Sequence, residues 1–205
     1  MKRSDREDVA EGVNESQLWL AFKDGSEQAF AKIFHRYHKK LCHYGYRIVP
    51  DKDIVKDCVQ ELFISLWNNR ERLDYTVAIN FYLIKSLRGR ILRVLNKQKK
   101  LGLDGLSIED SSQEFLFLST EDSMIAEQSQ QEQQDQLLKA MNNLSKKHRE
   151  VIYLKFFLDL SYQQIAEVMA INYQVTRNYA YQAVKILREK IDLVVCISLI
   201  YKLLG

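Results

Sequence analysis

Six side chains between Gln174 and Lys185 are of types that address nucleic-acid edges and phosphates: Gln174, Arg177, Asn178, Tyr181, Gln182 and Lys185. Their spacing projects them from about one side of a helix. Gln and Asn can pair with adenine edges, Arg with guanine, and Lys with phosphate. The preceding residues must position that helix. Ser161 and Gln164 form an S-x-x-Q capping box, which marks a helix start. Ile165, Ala166 and Met169 fall on one face of the turns that follow. Asn172 can cap the next helix by accepting a backbone N–H. Residues 161–190 therefore read as a short helix, a tight turn and a long helix. That is a helix-turn-helix, which inserts its second helix into the major groove of DNA. Two amphipathic helices of an ordinary bundle would share much of this pattern.

A second cationic set lies on a helix expected over about 80–97. Ile84, Leu87, Ile91, Val94 and Leu95 share one face, and Lys85, Arg88, Arg90, Arg93 and Lys97 take the other. With Tyr75, Phe81 and Tyr82 nearby, this face suits a nucleic-acid backbone with room to stack an unpaired base. A solvated amphipathic helix is the plainer alternative.

Composition places these helices in a helical protein. A chain of 205 residues suffices for one or two small domains with real cores. Seven Gly and one Pro provide too little turn material for an all-β fold, which points to an all-α chain. The total net charge of +3 conceals a division. Residues 1–100 carry +7, residues 101–138 carry −9 without a single Lys or Arg, and residues 139–205 carry +5. Two polyanion-binding modules on a self-repelling tether would look like this.

The first module is expected over 14–97. A short helix ends at Asp24-Gly25, Ser26 caps a second, and Pro50-Asp51 separates that from a third. In the third, Ile54, Val55, Cys58, Val59, Leu62, Phe63, Leu66 and Trp67 recur as adjacent pairs every four residues. Residues 70–79 lose this period and read as a loop. Residues 98–131 read as a flexible acidic linker, reaching on the order of 115 Å when fully extended. The second module, 132–190, opens on a helix bearing Leu137, Leu138, Met141 and Leu144. A helix over Lys146–Asp159 follows, and then the helix-turn-helix. The tail 191–205 is mostly apolar, yet its run is shorter than the roughly 20 residues of a membrane span, so no insertion is expected.

Catalytic chemistry finds little support. His35, His38 and Cys42 could share a helix face, with His43 nearby, as a zinc site would require. Arg36, Lys39 and Lys40 on the same helix would repel a cation, and a solvated polar face is the better reading. No Gly-rich phosphate loop, paired carboxylates or nucleophile elbow is apparent, so no enzyme, cofactor or metal is expected. Scattered Cys42, Cys58 and Cys196 suit a reducing compartment, and the charged N-terminus lacks the apolar core of a signal peptide, so a cytoplasmic protein is expected.

In order along the chain, these pieces resemble the extracytoplasmic-function (group IV) sigma factors of RNA polymerase. DGSEQAFAKIFHRYHKKL (24–41) is similar to the opening of the family's domain 2, and DCVQELFISLW (57–67) to its D-x-V-Q-E-x-F-x-x-L-W helix. NFYLIKSLRGRILRVLNK (80–97) resembles the promoter-melting and −10-reading helix, and 137–189 resembles domain 4. The resemblance implies a four-helix domain 2 and a helix-turn-helix domain 4 joined by the acidic linker. Asp57, Gln60 and Glu61 would dock on the clamp helices of the polymerase β′ subunit, and domain 4 would meet the β flap. The loop Asp74–Asn80, with Tyr75, would capture a flipped −10 base. Lys85, Arg88, Arg93 and Lys97 would hold the single strand, and Asn172 to Lys185 would read the −35 duplex. Control by an anti-sigma factor, often membrane-bound in the family, is also implied, and 193–205 could add a contact to it. Ser145-Lys146-Lys147 stands where the family often has prolines, Ala170 where it places a turn glycine, and Thr176 where it places an apolar residue. A conventional duplex-binding regulator would use 137–190 alone. It would leave the DCVQELF motif and the cationic helix unexplained.

Overall fold

The computed structural model describes residues 15–73, 78–101 and 139–190, and every regular element among them is helical. They fall into two compact units, one on each side of the acidic segment. Asp74, Tyr75, the acidic segment from 102 onward, Leu137, Leu138 and the tail 191–205 lie outside the described residues.

The first unit comprises α1 (15–23), α2 (Glu27–Ile48), α3 (Lys52–Asn68), a 3₁₀ turn (Arg70–Arg72) and α4 (Ile79–Lys100). Side-chain caps set the starts of two helices. Ser26 Oγ accepts from Ala29 N at 3.2 Å, and Asp51 Oδ1 accepts from Asp53 N and Ile54 N at 2.9 and 3.0 Å. Helices α2, α3 and α4 pack mutually around Ile33, Tyr44, Leu62, Leu66, Leu87 and Ile91, all at most 1% exposed. Gly45 lets them close: a Cβ there would meet Val55 Cγ1 at 2.6 Å and Ile91 Cδ1 at 3.4 Å. An aromatic cluster fixes α1 to this core. Trp19 and Phe22 meet tilted at 5.3 Å, Phe22 stacks on Phe30 at 5.9 Å, and Phe30 meets Trp67 at 5.1 Å. Lys23, only 9% exposed, donates from Nζ to the Leu73 carbonyl and so ties α1 to the end of the 3₁₀ turn.

Helix α4 continues past the expected end at residue 97 to Lys100. Gln98, Lys99 and Lys100 are good helix formers, no glycine intervenes before Gly102, and cations suit a helix C-terminus.

The second unit comprises α5 (139–142), α6 (Lys146–Ile152), a π turn (Tyr153–Phe157), α7 (Tyr162–Met169) and α8 (Tyr173–Lys190). The helix expected over Lys146–Asp159 is thus regular only to Ile152. Leu158 N donates to Tyr153 O at 3.2 Å and Leu160 N to Leu154 O at 3.0 Å, which widens the turn and reverses the chain. This widening buries Leu154, Leu158 and Leu160 against the rest of the unit. No glycine or proline occurs in 139–190, so residues with side chains make the reversals. Asp159 takes φ 50° and Ala170 φ 54°.

Candidate nucleic-acid interface

The expected capping box opens α7: Ser161 Oγ accepts from Gln164 N at 3.2 Å, and Gln164 Oε1 accepts from Ser161 N at 2.8 Å. Ala170 ends the helix in the left-handed conformation the missing glycine would have adopted, at φ 54°, ψ 46°. Asn172 Oδ1 then accepts from Gln174 N at 2.7 Å. Its side-chain oxygen therefore serves the start of α8, and its predicted role at DNA must be shared with this one. Thr176 is fully buried, with its hydroxyl donating to Asn172 O at 3.2 Å. That bond satisfies a polar group at a position where an apolar one would be expected.

Thr176, Ala180, Ala183 and Leu187 form the buried stripe of α8. Gln174, Arg177, Asn178, Tyr181, Gln182 and Lys185 are all exposed, Tyr181 at 73%. They are not independent of one another or of the unit. Gln174 Nε2 donates to Asn178 Oδ1 at 3.4 Å, the Arg177 guanidinium lies 5.9 Å from the Tyr173 ring centre, and Gln182 contacts His148. Beside this face runs a shallow groove lined by Tyr162, Arg177, Tyr181, Lys185 and Arg188, with Lys155 Nζ 5.6 Å from the Tyr162 ring centre. Arg188 and Lys155 extend the cationic surface beyond the residues expected from sequence. A single helix's spacing could have indicated Arg188. Lys155 comes from the π turn and could not have been placed that way.

On α4 the cations divide. Lys85, Arg93 and Lys97 are exposed, and Arg88 and Asn80 are half-buried. Lys85 Nζ stands 5.2 Å from the Phe81 ring centre, and Arg93 Nε donates to Gly89 O at 3.2 Å. Arg90, expected on the same face, instead turns to α3, where its guanidinium lies 3.8 Å from Glu61 Oε2. At about 100° per residue, Arg90 leaves the helix within some 60° of Arg93 and Lys97, whereas Arg88 stands roughly 140° to 180° from all three, so the cations of α4 wrap around the helix and do not share one face. Gly89 sits at the middle of the outward face, and a Cβ there would have nothing within 4 Å.

Asp57, Gln60 and Glu61 are exposed on α3, with Cys58, Val59 and Leu62 buried behind them. Ile64 joins their strip at 53% exposure. It is absent from the residues expected at this surface, although an apolar residue out of phase with the paired apolar positions of its helix was the available signal. Behind the strip, burial raises the Cys58 thiol pKa, and the carboxylates of Glu61 and Asp57 push it the same way against Arg90 and Arg93. Burial likewise raises Cys42, with Lys56 opposing. His38 Nε2 lies 3.8 Å from Cys42 Sγ, and the His38 ring packs on Phe34 at 4.8 Å. Among the described residues, no group of three or more His, Cys, Asp or Glu is arranged to hold a metal ion. No described helix is long and apolar enough to cross a membrane.

Comparison with known proteins aligns with both units. The Sigma-70 region 2 model matches residues 33–101, and the Sigma-70, region 4 model matches residues 134–187. The region 2 match covers the block that a duplex-binding regulator would leave unexplained. The chain is 27% identical over 144 residues to the RNA polymerase sigma factor SigV of Bacillus subtilis, covering 70% of this chain and 80% of that one. It is 24% identical over 177 residues to the ECF sigma factor SigW of the same organism, covering 82% and 92%. Two solved structures share the fold at 17% identity. CnrH, in complex with the cytosolic domain of CnrY, has a TM-score of 0.53 and covers 84% of this chain and 94% of that one. RpoE of Bartonella quintana, in complex with the anti-sigma factor NepR, has a TM-score of 0.56 and covers 80% and 97%. Both family models, in this order and over more than half of the chain, show that it belongs to the extracytoplasmic-function (group IV) sigma-70 family, whose members are non-catalytic subunits that direct RNA polymerase to promoters.

Proposed function

We propose that the two units divide promoter recognition between them. The second unit reads the −35 duplex through the outward face of α8, with Gln174, Arg177, Asn178, Tyr181, Gln182 and Lys185 at the groove and Asn172 at its mouth. The first melts the −10 element and holds its single strand along α4, through Asn80, Lys85, Arg88, Arg93 and Lys97, with Asp74 and Tyr75 in the preceding loop. Asp57, Gln60, Glu61 and Ile64 dock on the β′ clamp helices, and the second unit meets the β flap. The domains run 14–97 and 132–190, with 98–131 between them, and the protein works in the cytoplasm. An anti-sigma factor restrains it, as NepR accompanies the Bartonella relative.

One observation carries this reading. In α8 the capped, polar first turns face outward while Thr176, Ala180 and Ala183 anchor the opposite side, the geometry a groove-reading helix needs. Run-off transcription with purified core polymerase tests it. The protein should drive template-dependent transcripts, and Arg177→Ala should reduce them roughly tenfold to a hundredfold by removing one bidentate base contact. Glu61→Lys should instead weaken core binding. No stimulation on any promoter, together with no affinity for core enzyme, would defeat the proposal.

A further inference from the structure

The second unit ties one of its outward amides to a histidine 34 residues away in sequence. His148 on α6 places Nε2 3.0 Å from Oε1 of Gln182 on α8, and Nδ1 2.7 Å from Ser145 Oγ. Its ring stands edge-on to Tyr179, with centroids 5.2 Å apart at 77°. The orientation of the Gln182 amide, with its oxygen toward the ring, sets the tautomer. A carboxamide oxygen can only accept, so Nε2 carries hydrogen. In the neutral ring, Nδ1 then accepts the Ser145 hydroxyl proton. The same Oγ accepts the His148 backbone N–H at 3.4 Å as the N-cap of α6. Each group has a role compatible with the others, so the ring is held by a cap, an aromatic edge and an amide at once.

The consequence falls on Gln182. A glutamine free to flip can present a donor and an acceptor side by side, the pattern that matches adenine. Here Oε1 turns toward α6, so Nε2 with its two hydrogens faces away from it. We propose that His148 is a specificity-determining positioning residue: it holds the Gln182 amide with its oxygen inward and makes it a donor-only reader. Such a reader favours guanine, whose O6 and N7 both accept, over adenine, whose N6 donates beside N7. His148 touches no base in this arrangement. The inference rests on α8 being the −35 helix.

The test uses full-length protein assembled with core polymerase and a promoter library carrying every base pair at each −35 position, with transcripts sequenced. Gln182→Ala should level the preference at one position, where the unmutated protein favours guanine over adenine by roughly tenfold. His148→Phe keeps a ring beside Tyr179 but no donor. It should bring that ratio to within about threefold and leave other positions unchanged. Gln182→Glu, which faces DNA with acceptors only, should move the preference to cytosine. A merely structural role for His148 would depress all promoters alike, which would overturn the inference. So would adenine preference at the Gln182-dependent position, or an even loss across all bases with Gln182→Ala. If the unmutated holoenzyme shows no −35 selectivity at any position, the −35 reading itself fails, a distinct result.

Discussion

Helices α4 and α8 are both long and cationic, but they are held in place by different means. α4 is held by volume: Leu83, Ile84, Leu87 and Ile91 are each at most 1% exposed, and its N-cap Ala78 makes no side-chain bond. α8 is held by closeness and by its turn. Its buried stripe is mostly small, Thr176, Ala180 and Ala183, and its start depends on Ala170 and Asn172. The position of α4 should therefore respond most to lost bulk, and that of α8 to added bulk and to the turn.

The largest expected effect is on the bulky side of this comparison. Leu87→Ala should cost the first unit about 2–5 kcal/mol by leaving a cavity. Both tryptophans, Trp19 and Trp67, lie in that unit, so denaturant unfolding followed by tryptophan fluorescence reads it directly. A loss well under 1 kcal/mol would mean that α4 is not held by volume. Ala183→Leu should cost about 1–3 kcal/mol, because the site has no room, and should also depress −35-dependent transcription. Thermal unfolding followed by circular dichroism, alongside run-off assays, checks both effects, and a neutral result would contradict close approach at α8. Ala170→Gly should stabilise by about 1 kcal/mol, since glycine adopts the left-handed region without penalty, while promoter selection stays unchanged. The smallest expected change is Gly89→Ala, which should stabilise α4 by about 0.5–1 kcal/mol because the new methyl meets nothing. If the outward face of α4 seats a DNA strand, promoter opening measured by permanganate footprinting should nevertheless weaken. Unimpaired opening would move the strand off that face.

Local signals were the legible ones. The Ser26, Asp51 and Ser161 caps, the paired apolar residues of α3 and the two-sided character of α4 all follow from side chains within one or two turns of one another. Misses arose where a partner lay far along the chain. Nothing local to α4 reveals that Arg90 pairs with Glu61 on α3, and His148 gives no hint of Gln182. The π turn escaped for a different reason. Tyr153–Phe157 is apolar at helical spacing, and only the bonds from Leu158 and Leu160 back to Tyr153 and Leu154 reveal the widened turn. The left-handed Ala170 was foreshadowed by the family pattern, and the similar conformation at Asp159 was not.

Those two residues bracket α7. Each joint holds a side-chain-bearing residue at positive φ, a posture that costs on the order of 1–3 kcal/mol and less for Asp, whose short polar chain tolerates it. The eight-residue helix between them therefore carries a strained joint at each end while burying Ile165, Ala166, Val168 and Met169. Lifting it away from α8 would release that stored energy along with the contacts it breaks. Its amides should therefore exchange faster in the native state than the burial of its apolar face alone would allow.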